Sequence, residues 1–583
     1  MSITRDIAVL FEQGIAAFTA GRFAPAVEIL NRVVARAPAF APGHNVLGLA
    51  LAGLGRESEA WASYEAALRV DPAFAPSYIN RATLLRQRGD TAAALASLDK
   101  AIALDAEDPS GHGNRGSLLT EMGQPAAAIA SFDRALALSP GYPYARGLRL
   151  INKAYICDWT GIEEEVADLV ARTHRGEPVA LPWTLLPLID SPQVQRKAAE
   201  AWAASNLPAN ESLGPIAKHP RHERIRVGYY CADFHRHPTG HLIAGLFERH
   251  DRSRFEIIAF SLRPMRDDDM HRRLKAGVDR FIDVKDRSDR DVAALSRELE
   301  IEIAVDLNGL ISNNRMGIFA HRAAPIQVSY LAYPGTMGAP YMDYVIADNT
   351  VIPDPTFYTE RVVTLPDCYQ VNDAVRQVAD RTFTRTELGL PETGFVFCSF
   401  NNNFKITPRI FDVWMRILGG VDGSVLWLIE DSAAAATNLR REATRRGIDP
   451  IRLVFAPRMP QEDHLARQAA ADLFLDTHPY NAHTTGSDAL WAGLPLVTCP
   501  GESFAARVAA SLLRCVDMPE LIAPTLADYE ALAISLAKDP QRLAEIRHKL
   551  KRNRAKSPLF DLERFTSNIE AAYARMFEGG PGA

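Results

Sequence analysis

Three columns of residues repeat every 34 positions in the first quarter of the chain, two of small residues and one of larger apolar residues. The columns are Gly14, Gly48, Ala82 and Gly116; Ala26, Ala60, Ala94 and Ala128; and Leu30, Tyr64, Leu98 and Phe132. Small residues let two helices approach closely, and the larger side chain fills the gap between neighbouring helix pairs. The period therefore predicts four stacked helix pairs over residues 7–142.

A period of 34 residues is that of tetratricopeptide repeats, which stack into a superhelix with a concave groove. We predict an all-α repeat domain over residues 1–142. Its groove is expected to bind a peptide or protein. A role in oligomerisation, or as a spacer, is the alternative interpretation.

After a helical connector predicted over residues 143–220, short β-rich runs alternate with amphipathic stretches. Six runs lie within residues 221–383: IRVGYY, FEIIAFSL, RFIDV, IEIAVDL, IQVSYLAY and YVIAD. Five more lie within residues 384–583, which also hold a C-terminal helix: FVFCSF, VLWLIED, RLVFA, LFLDT and LPLVT. Such alternation is typical of parallel sheets. We predict an α + α/β fold, in which the repeat superhelix precedes two Rossmann-like lobes with a ligand cleft at their strand ends.

The charge balance argues against nucleic acid as a partner, because a net charge of -6 provides no basic field. The N-terminal sequence MSITRDIAVLFEQG lacks the order of a signal peptide, and no apolar run approaches the ~20 residues that span a bilayer. We therefore expect a cytoplasmic protein without membrane contact. The 6 cysteines lack zinc-site spacing and are expected to be buried free thiols.

A candidate phosphate site lies in LFLDTHPYNAHTTGSDALWAGLPLVT, since neither lobe opens with GxGxxG and no GxxxxGK[ST] occurs. This segment predicts a strand, a loop and a helix that begins near Thr484 and closes at Gly493. The hydroxyls of Thr484 and Thr485 and the free N–H groups there are suited to hold a diphosphate without a metal. Asp488, one turn on, is a candidate acceptor for a ribose hydroxyl. The alternative is that the threonines are ordinary caps and His483 a loop residue.

A second candidate is Lys405 in CSFNNNFKITPRIF, where a strand ends at Asn401 and Thr407 with Pro408 starts a helix. A lysine at the carboxyl end of a strand is placed to neutralise a departing diphosphate, the charge that develops when a glycosidic bond breaks. The alternative is a solvated surface charge.

Three histidines crowd the predicted strand-to-helix turn ADFHRHPTGHL: His235, His237 and His241. Histidine is the side chain best suited to exchange protons at neutral pH. Metal binding is the alternative, although no carboxylate or cysteine partner has convincing spacing.

Together these residues resemble the O-linked N-acetylglucosamine transferase family, including its fucosyl-transferring relatives of the SPINDLY type. The resemblance is carried by DFHRHPTGHL, FAHRAAPIQVSYLAYPGTMGAPYMDYVIAD, FNNNFKITP, PRMPQEDHLAR and LDTHPYNAHTTGSDALWAGLPLVTCPGESFAARVAASLL. It implies two lobes of the GT-B type, a nucleotide-sugar bound between them as co-substrate, no metal or other cofactor, and inversion of the anomeric centre.

The resemblance also assigns roles to individual residues. His237 matches the family's active-site histidine near the sugar and acceptor, and Lys405 matches the lysine on the leaving diphosphate, with Asn402 beside it. His464 and Arg467 match the pair at the nucleotide base. The remaining matches belong to the segment that holds the base, diphosphate and ribose: His483, Thr484, Thr485 and Asp488.

Three positions depart from the family pattern. Gln461 replaces a lysine of the base-binding helix, Ala332 replaces a glycine of the sugar pocket, and Leu310 replaces an aromatic residue or histidine. The change at Gln461 bears on a ribose or phosphate contact, and the changes at Ala332 and Leu310 bear on the choice of donor sugar. UDP-N-acetylglucosamine is the leading expectation for the donor, with GDP-fucose and a CMP-linked nonulosonic acid as alternatives.

The expected activity is transfer of a sugar to Ser or Thr of a protein docked by the repeats, with flagellin as a candidate acceptor. An asparagine acceptor is an alternative within the enzyme class. A non-catalytic repeat scaffold is the alternative from a different class. A homodimer would fit the family.

Overall fold

The computed structural model describes residues 4–217, 220–264, 266–311 and 314–579. The chain divides into two compact units, Met1–Lys153 and Ala154–Ala583. Among the helices of these described ranges, none has the length and apolar character needed to cross a bilayer.

The first unit contains the predicted repeats as four helix pairs. Their helices are α1 (Arg5–Thr19), α2 (Phe23–Arg36), α3 (Ala41–Gly53), α4 (Glu57–Val70), α5 (Ala75–Gln87), α6 (Thr91–Leu104), α7 (Pro109–Glu121) and α8 (Pro125–Leu138). The column that contains Gly48 and Gly116 requires small residues because the helices of a pair are in close contact there. A Cβ on Gly48 would lie 2.4 Å from the Tyr64 ring, and one on Gly116 would lie 2.8 Å from the Phe132 ring. The helix α9 (Ala145–Tyr155) follows the last pair.

The second unit starts with the predicted helical connector. It contains α10 (Ile162–His174), α11 (Pro182–Leu185) and α12 (Pro192–Asn206). Ala199 and Ala203 of α12 are buried in one hydrophobic cluster with Tyr230 and Phe260 of the first lobe. The connector therefore contributes to the core of that lobe.

The first lobe is a parallel sheet of seven strands with the order β3-β2-β1-β4-β5-β6-β7. The strands are β1 (Ile225–Cys231), β2 (Phe255–Ser261), β3 (Arg280–Asp283), β4 (Ile303–Asp306), β5 (Ile326–Ser329), β6 (Tyr344–Asp348) and β7 (Arg361–Leu365). The helices are α13 (Pro238–Arg249), α14 (Asp269–Ala276), α15 (Asp289–Glu298) and α16 (Gly317–Ala320). Strand β7 is absent from the six sequence-predicted strands of this lobe.

The second lobe is a parallel sheet of five strands with the order β10-β9-β8-β11-β12. Its strands are β8 (Val396–Ser399), β9 (Val425–Ile429), β10 (Leu453–Ala456), β11 (Leu473–Leu475) and β12 (Leu496–Val497). Its helices are α17 (Pro408–Gly420), α18 (Ala433–Arg445), α19 (Gln461–Arg467), α20 (Thr484–Ala492), α21 (Val508–Cys515), α22 (Leu526–Lys538) and α23 (Pro540–Arg554). Both sheets reverse strand order at their centre, which confirms the predicted Rossmann-like class.

The last helix, α24 (Leu562–Gly579), returns to the first lobe. Its Tyr573 hydroxyl lies 3.0 Å from that of Tyr229, and a Glu570 carboxylate oxygen lies 2.9 Å from Nδ1 of His250. The sequence prediction grouped this helix with the second lobe, because an amphipathic pattern identifies a helix but not the sheet that it covers.

The cysteines are free, and five of them are buried as expected. Cys515 differs, because it lies at the end of α21 and is partly exposed.

Candidate active site

Lys405 lies where two loops of the second lobe meet. It follows β8, and β11 is the neighbouring strand, so both loops leave the sheet at its switch point. The Lys405 Nζ donates a hydrogen bond to the backbone oxygen of Asn481 at 2.8 Å and lies 3.9 Å from the ring centroid of Tyr480. Because the residue is only 8% exposed, it is not a solvated surface charge.

The buried position controls the charge of Lys405. Burial lowers its pKa to about 7, although the nearby carboxyl of Asp476 opposes the shift. Asp476 accepts hydrogen bonds from Thr498 Oγ1 and Ala482 N, both at 2.6 Å, and burial raises its pKa. Lys405 therefore exchanges its proton near neutral pH, and an arriving anion favours the charged form.

Helix α20 begins at Thr484 and ends before Gly493, whose φ is 84°, as predicted. In its first turn, the N–H groups of Gly486 and Ser487 donate to the backbone oxygen of His483, both at 3.0 Å. The N–H groups of Thr484 and Thr485 have no hydrogen-bond partner among the described residues. Thr485 Oγ1 donates a hydrogen bond to Asn401 Oδ1, which joins the helix start to the end of β8. Lys405 contacts the chain just before the helix begins. A helix N-terminus and a buried ammonium group are thus adjacent, an arrangement suited to a phosphate.

His483 precedes α20 and is held by its own hydrogen bond. The ring donates through Nε2 to the backbone oxygen of Ala505 at 3.1 Å, and its centroid lies 4.9 Å from that of Tyr480. Burial, and then the charge of Lys405, lower the pKa of His483 well below its usual range. The ring is therefore neutral, with Nδ1 as an acceptor.

His464 and Arg467 lie on α19 and are bonded to each other. Arg467 donates from Nε and Nη2 to Nδ1 of His464 at 3.0 and 2.7 Å. Burial and the Arg467 charge lower the pKa of His464 to about 3. Phe400 directly follows β8, and the centroid of its ring lies 5.1 Å from the His464 ring centroid and 5.1 Å from Cζ of Arg467. The neutral histidine keeps its proton on Nε2, which makes that nitrogen a hydrogen-bond donor.

Asn402 lies three residues before Lys405 and has a different hydrogen-bond partner. Its side chain is exposed, and its Oδ1 accepts a hydrogen bond from Arg458 Nη2 at 3.1 Å.

In the first lobe, His237 caps the start of α13 after β1. Its Nδ1 accepts a hydrogen bond from the backbone N–H of Thr239 at 3.3 Å and lies 3.9 Å from Asp233 Oδ2. Asn308, after β4, donates to that Asp233 oxygen at 3.1 Å. Burial lowers the pKa of His237, while Asp233 opposes the shift. The neutral ring therefore carries its proton on Nε2, at the switch point of the first sheet.

The two other histidines of this turn, His235 and His241, do not cap helix α13 as His237 does. The His235 ring lies 5.9 Å from that of His237, and His241 belongs to α13 itself. Within the described ranges, no three His, Cys, Asp or Glu residues form a group that could hold a metal ion.

An ion pair connects the histidine turn to the second lobe. Arg236 Nη1 lies 3.6 Å from Glu462 Oε1 of α19, and Arg236 also binds Asp269 at 2.6 Å. The backbone oxygen of Glu462 accepts a hydrogen bond from Ala379 N at 3.1 Å. The predicted residues of the two lobes thus border the same cleft.

Asp488 lies on α20 as predicted, but sequence reasoning missed its partner. Its Oδ1 accepts a hydrogen bond from Arg376 Nη1, and both side chains are buried. Asp476 was also missed, although its position at the end of the predicted strand LFLDT was an available signal. The Asn481 contact with Lys405 uses a backbone oxygen, for which the residue type gives no signal.

The departures from the family pattern lie after strands of the first lobe or on α19. Leu310 is buried in the hydrophobic cluster of that lobe, Ala332 is partly exposed after β5, and Gln461 is the first residue of α19.

Two family models match this chain. The model of glycosyl transferase family 41 matches residues 215–382 and 376–569, and a tetratricopeptide repeat model matches residues 11–77 and 79–143. The chain belongs to glycosyl transferase family 41. The predicted resemblance is thereby confirmed, as are the repeats.

Relatives within family 41 include eukaryotic proteins. The probable UDP-N-acetylglucosamine--peptide N-acetylglucosaminyltransferase SEC of Arabidopsis thaliana is 36% identical, with 62% of this chain and 38% of that protein covered. The UDP-N-acetylglucosamine--peptide N-acetylglucosaminyltransferase of Caenorhabditis elegans is 28% identical, with 73% and 48% covered. This chain thus matches less than half the length of these relatives.

A solved structure extends the similarity over both units. A lysine-to-methionine mutant of the Thermobaculum terrenum O-GlcNAc transferase is 28% identical with a TM-score of 0.67, and the match covers 99% of this chain and 98% of that one.

Proposed function

We propose that this family 41 chain transfers a sugar from a nucleotide-sugar to Ser or Thr of a protein, with inversion and without a metal. The observation that carries the proposal is the buried Lys405 beside the start of α20. This arrangement offers positive charge and free N–H groups at one point of the cleft, as a departing diphosphate requires.

The proposed reaction breaks the bond between the anomeric carbon and the diphosphate oxygen, and that oxygen keeps the electron pair. Lys405 and the first turn of α20 stabilise its charge, which is greater in the transition state than in the bound donor. The acceptor hydroxyl oxygen forms the new bond to the anomeric carbon from the opposite face, and its proton passes to the departing diphosphate or to water. His464 and Arg467 bind the nucleotide base, with Nε2 of His464 as a donor.

His237 is proposed to orient the acceptor or sugar as a hydrogen-bond donor. Its Nδ1 already accepts from Thr239, so Nε2 carries the proton of the neutral ring. Action as a base would require the proton to move to Nδ1, where Asp233 lies 3.9 Å away.

UDP-N-acetylglucosamine is the leading donor, and the names of the two eukaryotic relatives support it. GDP-fucose and a CMP-linked nonulosonic acid remain alternatives because of Ala332 and Leu310. Thermal unfolding with UDP, GDP and CMP separates them, because a ligand at 100 times its Kd adds about 2.7 kcal/mol to stability. Stabilisation by GDP or CMP alone would overturn the UDP assignment, and stabilisation by none would favour the scaffold alternative.

The acceptor is proposed to be a protein that binds the groove of the repeats, in the cytoplasm, with flagellin as a candidate. The purified chain, the donor and the candidate acceptor are incubated together, and the acceptor is mapped by mass spectrometry. Modification of Ser or Thr supports the proposal, whereas modification of Asn would replace the acceptor assignment. A homodimer stays a prediction.

A further inference from the structure

Arg376 lies in the segment between β7 and β8 that connects the two lobes. Arg376 is 8% exposed, and its Nη1 donates a hydrogen bond to Asp488 Oδ1. The Arg376 Nε donates to the backbone oxygen of Asp373 at 3.1 Å. The remaining terminal nitrogen, Nη2, is buried and has no hydrogen-bond partner within the described ranges.

Asp488 is placed for a second partner. It lies four residues after Thr484, so both share the face of α20 that carries the candidate phosphate site. Arg376 holds its Oδ1, and the described residues offer no hydrogen-bond donor to its Oδ2. Burial raises the pKa of Asp488, and the Arg376 charge opposes that shift. Without Arg376, this carboxyl would therefore take up a proton more readily and lose an acceptor site.

The Arg376–Asp488 pair leaves one buried donor, Arg376 Nη2, without a hydrogen-bond partner within the described ranges. Buried ion pairs are often replaceable by apolar residues without loss of stability, and an unpartnered buried N–H group is itself unfavourable. The guanidinium is nevertheless held firmly, with its carbon 5.4 Å from the Trp491 ring and 5.9 Å from the Phe560 ring. Trp491 Nε1 also donates to the Arg376 backbone oxygen at 3.2 Å. A costly pair in a rigid setting indicates a functional role.

The segment of residues 373–376 is also hydrogen-bonded to the first lobe. Asp373 is buried and accepts hydrogen bonds from Arg273 of α14, of which the longer is 3.2 Å. Arg273 also binds Glu248 of α13 at 2.7 Å. The segment therefore joins the first lobe through Asp373 and the nucleotide-binding side of the second lobe through Arg376.

We propose that Arg376 is a positioning residue for donor recognition, which keeps Asp488 oriented and ionised so that its free oxygen accepts a ribose hydroxyl. Arg376 acts through Asp488 and does not touch the donor. The inference rests on the proposed function, since it requires a nucleotide at α20.

The test measures discrimination between ribose and deoxyribose. UDP, GDP and CMP are titrated into the wild-type chain by calorimetry, and the tightest is compared with its 2′-deoxy and 3′-deoxy forms. We expect the wild type to bind the ribose form at least about tenfold more tightly than one deoxy form, since the carboxylate then has a charge-assisted bond. In Arg376→Gln this preference should fall below about threefold at pH 7 and recover as the pH is raised and Asp488 ionises. Arg376→Lys should keep most of it.

A matched control removes another guanidinium from the same tryptophan. Arg554 lies 5.6 Å from the Trp491 ring and donates to its backbone oxygen, without a contact to Asp488. Arg554→Gln should keep the wild-type preference. The double variant Arg376→Gln with Asp488→Asn restores a neutral hydrogen-bonded pair, and it should fold and lack the preference at every pH.

The outcomes separate this inference from the proposed function. The inference would be overturned if Arg376→Gln kept the wild-type preference at pH 7, or if the double variant kept it at any pH. A wild type that does not distinguish ribose from deoxyribose would also overturn it. In these cases the proposed function stands, because nucleotide binding persists. Absence of binding by any of the nucleotides to the wild type would overturn both.

Discussion

At the scale of single residues, the charge of Lys405 depends on pH in the free site and is favoured by a bound anion. Its pKa of about 7 in the free site means that much of the population is neutral above pH 7. A bound diphosphate raises that pKa, so binding takes up a proton. The protonation of Lys405 is thereby coupled to binding of the diphosphate.

The expected result is that affinity for a nucleoside diphosphate is highest below pH 7 and falls as the pH rises through 7, by up to about tenfold per unit. Calorimetry between pH 6 and 9 in buffers of different ionisation enthalpy measures both affinity and proton uptake. Lys405→Met is the control and should bind weakly with little pH dependence. Equal proton uptake by wild type and variant would contradict the assignment.

His237 provides a second prediction at this scale. If its Nε2–H donates to a substrate, His237→Gln keeps a comparable donor and should retain more turnover than His237→Ala. We expect the alanine variant to lose about 10²–10³-fold in kcat, the range typical of a lost hydrogen-bond donor in an active site. His235→Ala is the matched control. Equal loss in the glutamine and alanine variants would indicate that His237 acts as the base.

The residue-level site was predictable only in part. Lys405, His237 and Thr484 follow strands, and strand ends converge in parallel sheets, so their positions could be inferred. Arg376 could not, because it lies in an irregular connector and finds Asp488 only when the lobes are assembled. The hydrogen bond from Thr498 to Asp476 likewise joins residues that are 22 positions apart in sequence.

At the scale of elements, the small residues that repeat every 34 positions lie in close contact with larger side chains, and these contacts can be tested by substitution. Gly48→Val places methyl groups against the buried Tyr64 ring, where even a Cβ would lie 2.4 Å from a ring atom. We expect a loss of about 1–3 kcal/mol of stability from overpacking. Urea unfolding, with hydrogen exchange of peptides from α3 and α4, measures it.

The control for this substitution is Gly141→Ala, because nothing lies within 4 Å of a Cβ there. Its effect should stay within about 0.5 kcal/mol. An equal effect of the two substitutions would show that the 34-residue column does not report packing.

Element prediction succeeded where local patterns were strong. The cap-then-proline sequence Thr407-Pro408 predicted the start of α17, and Gly493 predicted the end of α20. Strand β7 was missed because RVVTL lies at the sheet edge and three of its residues are only partly buried, which weakens the apolar signal.

At the scale of the whole molecule, the account requires both lobes to supply one reaction. The Arg236 to Glu462 ion pair, and the segment from Asp373 to Arg376, join the histidine turn to the nucleotide side of the cleft. The fold class was predictable from alternating strands and helices. The return of α24 to the first lobe was not, because it is a long-range choice between two similar sheets.

The most direct test of the central claim is the intact mass of proteins from the native host, compared among wild type, a strain without this gene and a strain with Lys405→Ala. The account predicts one or more proteins with a sugar-sized mass increase in the wild type that is absent from both mutants. A mass increase that fits an N-acetylhexosamine, a deoxyhexose or a nonulosonate would also name the donor class. Identical masses in all three strains would contradict protein glycosylation, and a mass increase retained in Lys405→Ala would contradict the role assigned to that lysine.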